Sequence, residues 1–193
     1  RQHVRKLLRE AEQLDVVERY EEAFEQRRKA VAIDNSQQSA LDTASALLAG
    51  KVSARDAAIA SAKSGLARAS DLRRQGQLES AQHEQSLLQK RLADSHAQWA
   101  KELGQLAEQE GAQIRDQHDS ALELVEDAKI DERRGDFEVA QEKWAEAIRL
   151  DQAHSQVAQA AINLLPTRIA SRDAARIKAR AELASVQELM DRA

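Results

Sequence analysis

The sequence contains no cysteine, one proline, six glycines and few aromatic residues: two tryptophans, one tyrosine and two phenylalanines among 193 residues. Without cysteine there is no disulfide framework, thiolate zinc site or cysteine nucleophile, and the redox compartment cannot be read from the sequence. Sandwiches and barrels need aromatic and β-branched strands separated by turn residues, so this composition excludes them. The apolar runs are only a few residues long, and we therefore expect no membrane span.

The chain also lacks an excess of charge of one sign. It has 33 acidic residues against 29 lysines and arginines, a net charge of −4, and both signs are interspersed along its length. Such interspersion is typical of a solvated surface. A dedicated binder of duplex DNA normally shows a concentrated basic excess, because neutralising phosphates supplies most of its affinity. We therefore expect no nucleic-acid partner.

What the sequence does contain is alanine, at 37 positions, and an internal repeat. When the chain is shifted by 117 positions, residues 11–72 align with residues 128–189 without a gap, and a weaker copy lies between them at spacings of 57–60 residues. An ungapped match of this length indicates a repeated structural unit. The matching pairs include Ala11/Ala128, Ala23/Ala140, Ala30/Ala147, Asp34/Asp151, Leu47/Leu164, Arg55/Arg172, Asp56/Asp173 and Leu66/Leu183.

Helix-breaking residues recur at one place in the unit. Gly50, Gly111 and Pro166 each lie a few residues before an Arg-Asp pair, and they predict three helical segments per unit. Two basic residues shortly before Gly76 and Gly135 predict helix ends, because cations favour the last turn and glycine the left-handed cap. The pattern predicts an all-α helical-hairpin repeat array of nine to ten helices, either an α-solenoid or an elongated bundle.

The repeat also predicts how the chain is organised. We expect one helical domain over residues 1–193, with units at approximately 1–52, 53–112 and 113–168 and a C-terminal helix at 169–193. The chain opens at Arg1, within a helical pattern, and its only methionine is Met190. We interpret it as part of a longer protein.

One stretch resembles a known family. Gly135, Phe137, Ala140 and Trp144, followed by Ala-Ile-Arg-Leu-Asp at 147–151, resemble the second half of a tetratricopeptide repeat. The match is clear over 128–151 and weaker over 11–34 and 69–92, where Glu18 replaces the glycine and Arg27 the second aromatic. The resemblance implies antiparallel helices packed through small residues, with a groove for a partner peptide. We expect these side chains to be buried: Ala11, Leu14, Tyr20, Ala23, Ala30, Ile33, Ala128, Phe137, Ala140, Trp144, Ala147 and Leu150.

Residues that could carry chemistry are dispersed. No two of the five histidines lie within five residues of each other, so no helical His-x-x-x-His pair is present. The sequence also lacks a glycine-rich phosphate loop and a Gly-x-Ser-x-Gly elbow. We therefore expect no enzymatic activity, no cofactor and no metal. The histidines are His3, His83, His96, His118 and His154.

Basic residues recur in the last helical segment. Arg168, Arg172, Arg176 and Arg180 are spaced by four and form one stripe. The stripe fits an acidic peptide, a phosphorylated tail or lipid headgroups or, alternatively, solubilises the helix. The recurring Arg-Asp pairs allow two interpretations, a ladder of partner contacts or capping at helix starts. Trp99 has no counterpart in the other copies, and is either a local gap filler or an exposed contact residue.

Repetition without catalytic residues favours a protein–protein interaction scaffold that offers a groove to a partner peptide or helix. One alternative is a structural spacer or oligomerisation module, in which this chain would self-associate, and another is a regulatory domain attached to an enzyme. The breakers favour the first interpretation, because they would interrupt a continuous heptad seam. The compartment stays open between cytoplasm and periplasm.

Overall fold

The computed structural model describes residues 2–93 and 95–191, and within these ranges the chain is all-α and has no strand. The predicted first unit (1–52) is therefore seen from residue 2, and the predicted C-terminal helix (169–193) as far as residue 191. Among the described residues, no helix is long and apolar enough to cross a bilayer.

Short and long helices alternate along the chain. After α1 (Gln2–Val16), three short helices alternate with three long ones, and each long helix has 37 residues. The short helices are α2 (Tyr20–Ile33), α4 (Leu78–Ala93) and α6 (Phe137–Leu150). The long helices are α3 (Gln38–Arg74), α5 (Gln98–Arg134) and α7 (Ser155–Asp191).

The breakers do not end helices, and the prediction of nine to ten helices is wrong for the described residues, which contain seven α-helices. Gly50, Gly111 and Pro166 lie inside α3, α5 and α7. The two segments predicted on either side of each breaker therefore form one long helix. An interior glycine costs a helix only about 1 kcal/mol relative to alanine, which the neighbouring turns offset. Pro166 costs about 3 kcal/mol, but its side chain is exposed and the helix continues through it.

The real helix ends carry the features predicted for them. Gly76 and Gly135 lie within two residues of the ends of α3 and α5 and have φ values of 73° and 84°. Glu18 has the same left-handed conformation after α1, with φ of 60°. Glycine adopts this conformation without a Cβ clash, whereas glutamate is strained there. The Glu18 carboxylate accepts hydrogen bonds from Ser95 Oγ (3.1 Å) and Trp99 Nε1 (3.0 Å), which hold it in place. Trp99 is half-buried and so fills a local gap.

The same elements recur 117 residues apart. Helices α2 and α6 have the same length, as do α3 and α7. A three-residue 3₁₀ turn separates α2 from α3, and another separates α6 from α7. Asp34 and Asp151 open these turns with similar backbone angles (φ −140° and −142°). In each case the carboxylate accepts a backbone N–H two residues later, from Ser36 at 3.0 Å and from Ala153 at 2.9 Å. An aspartate accepts such a bond readily, which explains its presence at this turn.

The chain divides into two compact units. Unit 1 comprises the residues up to Asp71 together with Ser80–Ala112, and unit 2 comprises Leu72–Glu79 together with the residues from Gln113 onward. Unit 1 has one apolar cluster between α1 and α2 and a second between the end of α3, α4 and the start of α5. The α1–α2 cluster consists of Val4, Leu7, Leu8 and Ala30. The second, which we name the α3–α5 cluster, consists of Ala62, Leu66, Leu88, Leu92, Trp99, Ala100, Leu103 and Ala107.

Unit 2 has one core around Trp144, whose side chain is 2% exposed. Fully buried alanines from α5, α6 and α7 surround it, and small residues of this kind let helices approach closely. The indole N–H donates to Glu132 Oε1 at 2.7 Å, so the buried polar group is satisfied. The buried core consists of Val125, Ala128, Ala140, Trp144, Ala147, Ala158 and Leu165.

The predicted core is confirmed at its small positions. Ala11, Ala23, Ala30, Ala128, Ala140, Trp144 and Ala147 are buried. Tyr20 and Phe137 share one environment, but they are half-buried and not buried as predicted, and the same holds for Leu14 and Leu150. The prediction is wrong for Ile33, which is 53% exposed because it is the last residue of α2 and lies beside the turn.

Candidate partner-binding surface

Two arginines of the predicted stripe are held by partners within unit 2. Arg168 pairs with Glu132, the carboxylate that also accepts the Trp144 indole N–H. Unit 1 repeats this arrangement with other residue types at the matching positions. There Asp15 pairs with Arg27 at 2.5 Å and with Lys51 at 3.5 Å. Arg27, at the position that matches Trp144, therefore donates to Asp15 as Trp144 donates to Glu132.

Arg172 is more firmly held than Arg168. Its guanidinium donates to both Glu138 carboxylate oxygens (2.8 and 2.6 Å), to Asp173 Oδ1 (3.0 Å) and to the Gly135 carbonyl (3.1 Å). It also lies over the Phe137 ring at 5.7 Å from the centroid. The bidentate contact raises the pKa of Arg172 and lowers that of Glu138 to about 2, with a backbone hydrogen bond adding to the shift of Glu138.

Arg55 makes the same set of contacts in unit 1. It donates to both Glu21 oxygens (2.8 and 2.9 Å), to Asp56 Oδ1 and to the Glu18 carbonyl (3.3 Å). All three partner residues lie 117 residues before those of Arg172. Capping at a helix start is therefore the wrong interpretation of the Arg-Asp pairs, because Arg55 and Arg172 lie in the middle of 37-residue helices. Each arginine instead ties its long helix to the turn before the preceding short helix.

Arg176 and Arg180 have a different environment from the first two stripe residues. Both are exposed, as is every side chain of α7 from residue 174 to residue 188. Leu183, Val186 and Met190 are 69%, 52% and 68% exposed, and their spacing of three and four places them on one face of the helix. Ile177, also exposed, lies on the opposite face. We name residues 174–188 together with Met190 the α7 surface.

The matching stretch of α3 is covered. Leu66 and Ala69 correspond to Leu183 and Val186, and within unit 1 Leu66 packs into the α3–α5 cluster while Ala69 is fully buried. Helix α4 supplies Leu88 and Leu92 to this contact, and α5 supplies Ala100 and Leu103, among others. One position differs in a way that affects packing. Gly65, near Leu88 of α4, is replaced by Glu182 in α7.

A concave surface lies in unit 1. It is a groove of about 630 Å³ between α1, α2 and the first half of α3. Lys51 lies over the Tyr20 ring there, 5.2 Å from the centroid, beside the Asp15 carboxylate. Polar and apolar side chains contribute to the lining, which includes Leu8, Tyr20, Phe24, Leu47 and Leu48.

Two segments that are distant in sequence bring three side chains together in unit 2. His118 of α5 approaches Asp151 with Nδ1 2.7 Å from Oδ2, and His154 Nε2 lies 3.8 Å from the same oxygen. The two imidazole rings stack with their centroids 6.0 Å apart. A search for local spacing misses this cluster, because 33 residues separate His118 from Asp151. The other histidines, His3, His83 and His96, are exposed.

Comparisons with protein-family models, with curated proteins and with solved structures find no match to this chain. The resemblance to tetratricopeptide repeats therefore stays a prediction. Function has to be argued from the described residues alone.

The Glu138–Arg172 pair predicts a pH dependence of stability. A glutamate titrates near 4.5 in the unfolded chain and Glu138 near 2 in the fold, so its contribution is complete above about pH 4.5 and is lost as the pH falls through about 2. We expect Glu138→Gln to destabilise unit 2 at neutral pH, and the difference from the parent protein to shrink between about pH 5 and pH 2.5. Urea unfolding followed by Trp144 fluorescence in a Trp99→Phe background measures this difference.

Glu21→Gln is the matched variant, because Arg55 likewise lowers the pKa of Glu21. Trp99 fluorescence in a Trp144→Phe background reports on unit 1, and we expect the same pH trend there. A difference between parent and variant that stays constant across this pH range would contradict an ionic contribution.

Proposed function

We propose that the chain is a non-catalytic protein–protein interaction scaffold of tetratricopeptide-like type, and that the α7 surface docks a helical partner. The observation that carries the proposal is the contrast between matched positions. Leu66 and Ala69 of α3 are covered by a helical hairpin, whereas Leu183 and Val186 of α7 are exposed. Burying side chains of this size stabilises a complex by roughly 1.5–3 kcal/mol each.

The contacts of α3 define the chemistry of the partner. A hairpin that covers the α7 surface presents leucines and alanines, as α4 and α5 do toward Leu66. In unit 1, Leu88 of α4 lies close to Gly65 of α3. Glu182 stands at the matching position of α7, so the partner needs a small or basic side chain there. It is acidic opposite Arg176 and Arg180, which are exposed and retain their charge for a partner. Arg168 and Arg172 position the helix instead.

The alternative is a structural spacer or oligomerisation module, and the continuous helices keep it in consideration. The breakers were expected to interrupt a heptad seam, but Gly50, Gly111 and Pro166 all lie within helices. The glycines and the proline therefore do not distinguish a scaffold from a spacer. The α7 surface does separate them, because a scaffold docks a different chain there and an oligomeriser docks a second copy of this one.

The test uses the chain's own hairpin as a probe. A synthetic peptide of residues 78–110 has the sequence that covers α3 and an excess of acidic residues. We expect it to bind the full chain, and Leu183→Asp with Val186→Asp to abolish that binding. Ile177→Asp, on the opposite face of the same helix, is the matched control and should leave binding unchanged. Glu182→Gly should tighten binding, because it restores the α3-like surface.

In the same titration, Arg176→Glu with Arg180→Glu should weaken the acidic probe several-fold and reduce the salt dependence of binding. Because exposed charge changes cost within about 0.5 kcal/mol, the fold should persist. Sedimentation of the full chain without the probe tests the alternative, in which the chain self-associates. A dimer that dissociates in the Leu183→Asp, Val186→Asp protein would favour oligomerisation, and equal probe binding by all variants would refute the α7 surface as a docking site.

A further inference from the structure

We propose that His118, Asp151 and His154 form a binding site for a divalent transition metal, with Zn²⁺ as the fitting ion. The three side chains each offer one ligand atom, and these atoms all lie within 4.8 Å of one another. Two imidazole nitrogens and one carboxylate oxygen are a ligand set that zinc takes in proteins, with the fourth position left to water. This inference does not depend on the proposed function.

The distances are close to those that zinc requires. Ligand atoms about 2.1 Å from a tetrahedral ion are about 3.4 Å from each other. The separations of Asp151 Oδ2 from His118 Nδ1 (2.7 Å) and from His154 Nε2 (3.8 Å) lie on either side of that value. The two histidine nitrogens lie within 4.8 Å of each other, so side-chain rotation has to bring the three ligand atoms to tetrahedral spacing when the ion binds.

The carboxylate is already oriented for ligation. Asp151 is nearly fully buried, with its side chain 2% exposed, and its Oδ1 accepts the Ala153 backbone N–H at 2.9 Å. Its Oδ2 therefore remains directed at the two histidines. An outer hydrogen bond of this kind fixes a metal-ligating carboxylate and supports affinity.

The polypeptide around the cluster is also fixed. Gln117, the neighbour of His118, donates to the Leu150 carbonyl at 2.7 Å and to the Arg73 carbonyl at 3.2 Å, which ties α5 to the turn that bears Asp151. The backbone N–H of Gln152 donates to the Gly76 carbonyl at 2.9 Å. His118 is about half exposed, so one side of the cluster is open to solvent and to an entering ion.

The histidines are not needed by the turn itself. The matching turn after α2 has Asp34 with the same backbone bond to the residue two positions on, but Gln37 stands where His154 does. His154 Nε2 is buried, and within residues 2–93 and 95–191 it has no hydrogen-bond partner. A buried polar atom left in this way costs free energy, and a metal bond would remove that penalty.

Untagged full-length chain, treated with chelator and then dialysed, is titrated with Zn²⁺ in a calorimeter. We expect one ion to bind per chain. Co²⁺ should give the visible absorption of a low-symmetry site, and Mg²⁺, which prefers oxygen ligands, should not bind. Zn²⁺ should also raise the urea midpoint of unit 2, followed by Trp144 fluorescence in the Trp99→Phe protein, because an ion that binds only the fold stabilises it.

His154→Gln is the decisive variant, because glutamine occupies this place in the matching turn and the fold should tolerate it. We expect it to weaken Zn²⁺ binding by more than about tenfold, since even changes outside the ligand set have effects of that size. His118→Ala should do the same. Asp34→Asn, in the turn without histidines, and His83→Ala, at an exposed histidine, should bind as the parent does.

The outcomes separate a metal site from a simple ion pair. If Zn²⁺ does not bind, or binds equally to the parent and to His154→Gln, then His118 and Asp151 form only a local ion pair and the proposal is overturned. Binding that is lost in His83→Ala would place the ion elsewhere and overturn it as well.

Discussion

Replacing Trp144 with alanine is expected to lower the free energy of unfolding of unit 2 by about 3–5 kcal/mol. The side chain is 2% exposed, and the buried alanines of its cluster are too short to fill the space that it would leave. The substitution also removes the indole donor from the Glu132 carboxylate, which keeps its ion pair with Arg168. A loss of this size is a large fraction of the stability of a small unit.

Hydrogen exchange followed by mass spectrometry measures this loss of stability. Fluorescence cannot, because the Trp144→Ala protein lacks the tryptophan that reports on unit 2. We expect faster exchange in peptides from α6 in the Trp144→Ala protein. Trp144→Phe retains most of the apolar volume and should have a much smaller effect. Arg27→Ala is the matched change in unit 1, where the residue pairs with Asp15. Unchanged exchange in α6 would contradict the central place of Trp144 in the core.

Repetition was the most informative property of the sequence, because many matched residues of α1 and α2 keep the environments of their counterparts in α5 and α6. Ala11, Ala23 and Ala30 are buried, as are their counterparts Ala128, Ala140 and Ala147, and Tyr20 and Phe137 are both half-buried. The helix ends at Gly76 and Gly135 were predictable for a local reason, since a left-handed residue after two basic residues is a cap. The continuity of α3 through Gly50 was not predictable in this way. A glycine without a cap around it weakens a helix but does not end it.

The candidate sites depend on contacts that span helical hairpins, which local patterns do not report. Arg172 was identified as a partner-binding residue, yet Glu138, 34 residues earlier, holds it. The same separation joins Glu21 to Arg55. This recurrence in the printed sequence is the signal that could have revealed the pairing. His118 and Asp151 meet across a similar interval, and a search restricted to one helical turn passes over them.

Gly76→Ala is expected to destabilise unit 2 by about 2–4 kcal/mol, because two separate effects add at this position. The first is conformational: Gly76 has φ of 73°, where a Cβ costs about 1–2 kcal/mol. The second is steric: a Cβ would lie 2.9 Å from the Arg149 carbonyl oxygen and 3.3 Å from the Leu150 carbonyl oxygen. Both are backbone atoms at the end of α6 and cannot rotate away as a side chain can.

Gly135→Ala isolates the conformational effect. Gly135 has a similar φ of 84°, but no atom lies within 4 Å of the Cβ that alanine would add. We therefore expect a loss of only about 1–2 kcal/mol there. Urea unfolding of both variants, followed by Trp144 fluorescence in the Trp99→Phe background, gives the comparison directly. The difference between the two variants measures how closely the turn at Gly76 packs on the end of α6 within unit 2, and equal losses would show that the turn moves aside without resistance.

Gly76→Ala should also weaken Zn²⁺ binding more than Gly135→Ala does, because the Gly76 carbonyl holds the Gln152 N–H next to Asp151.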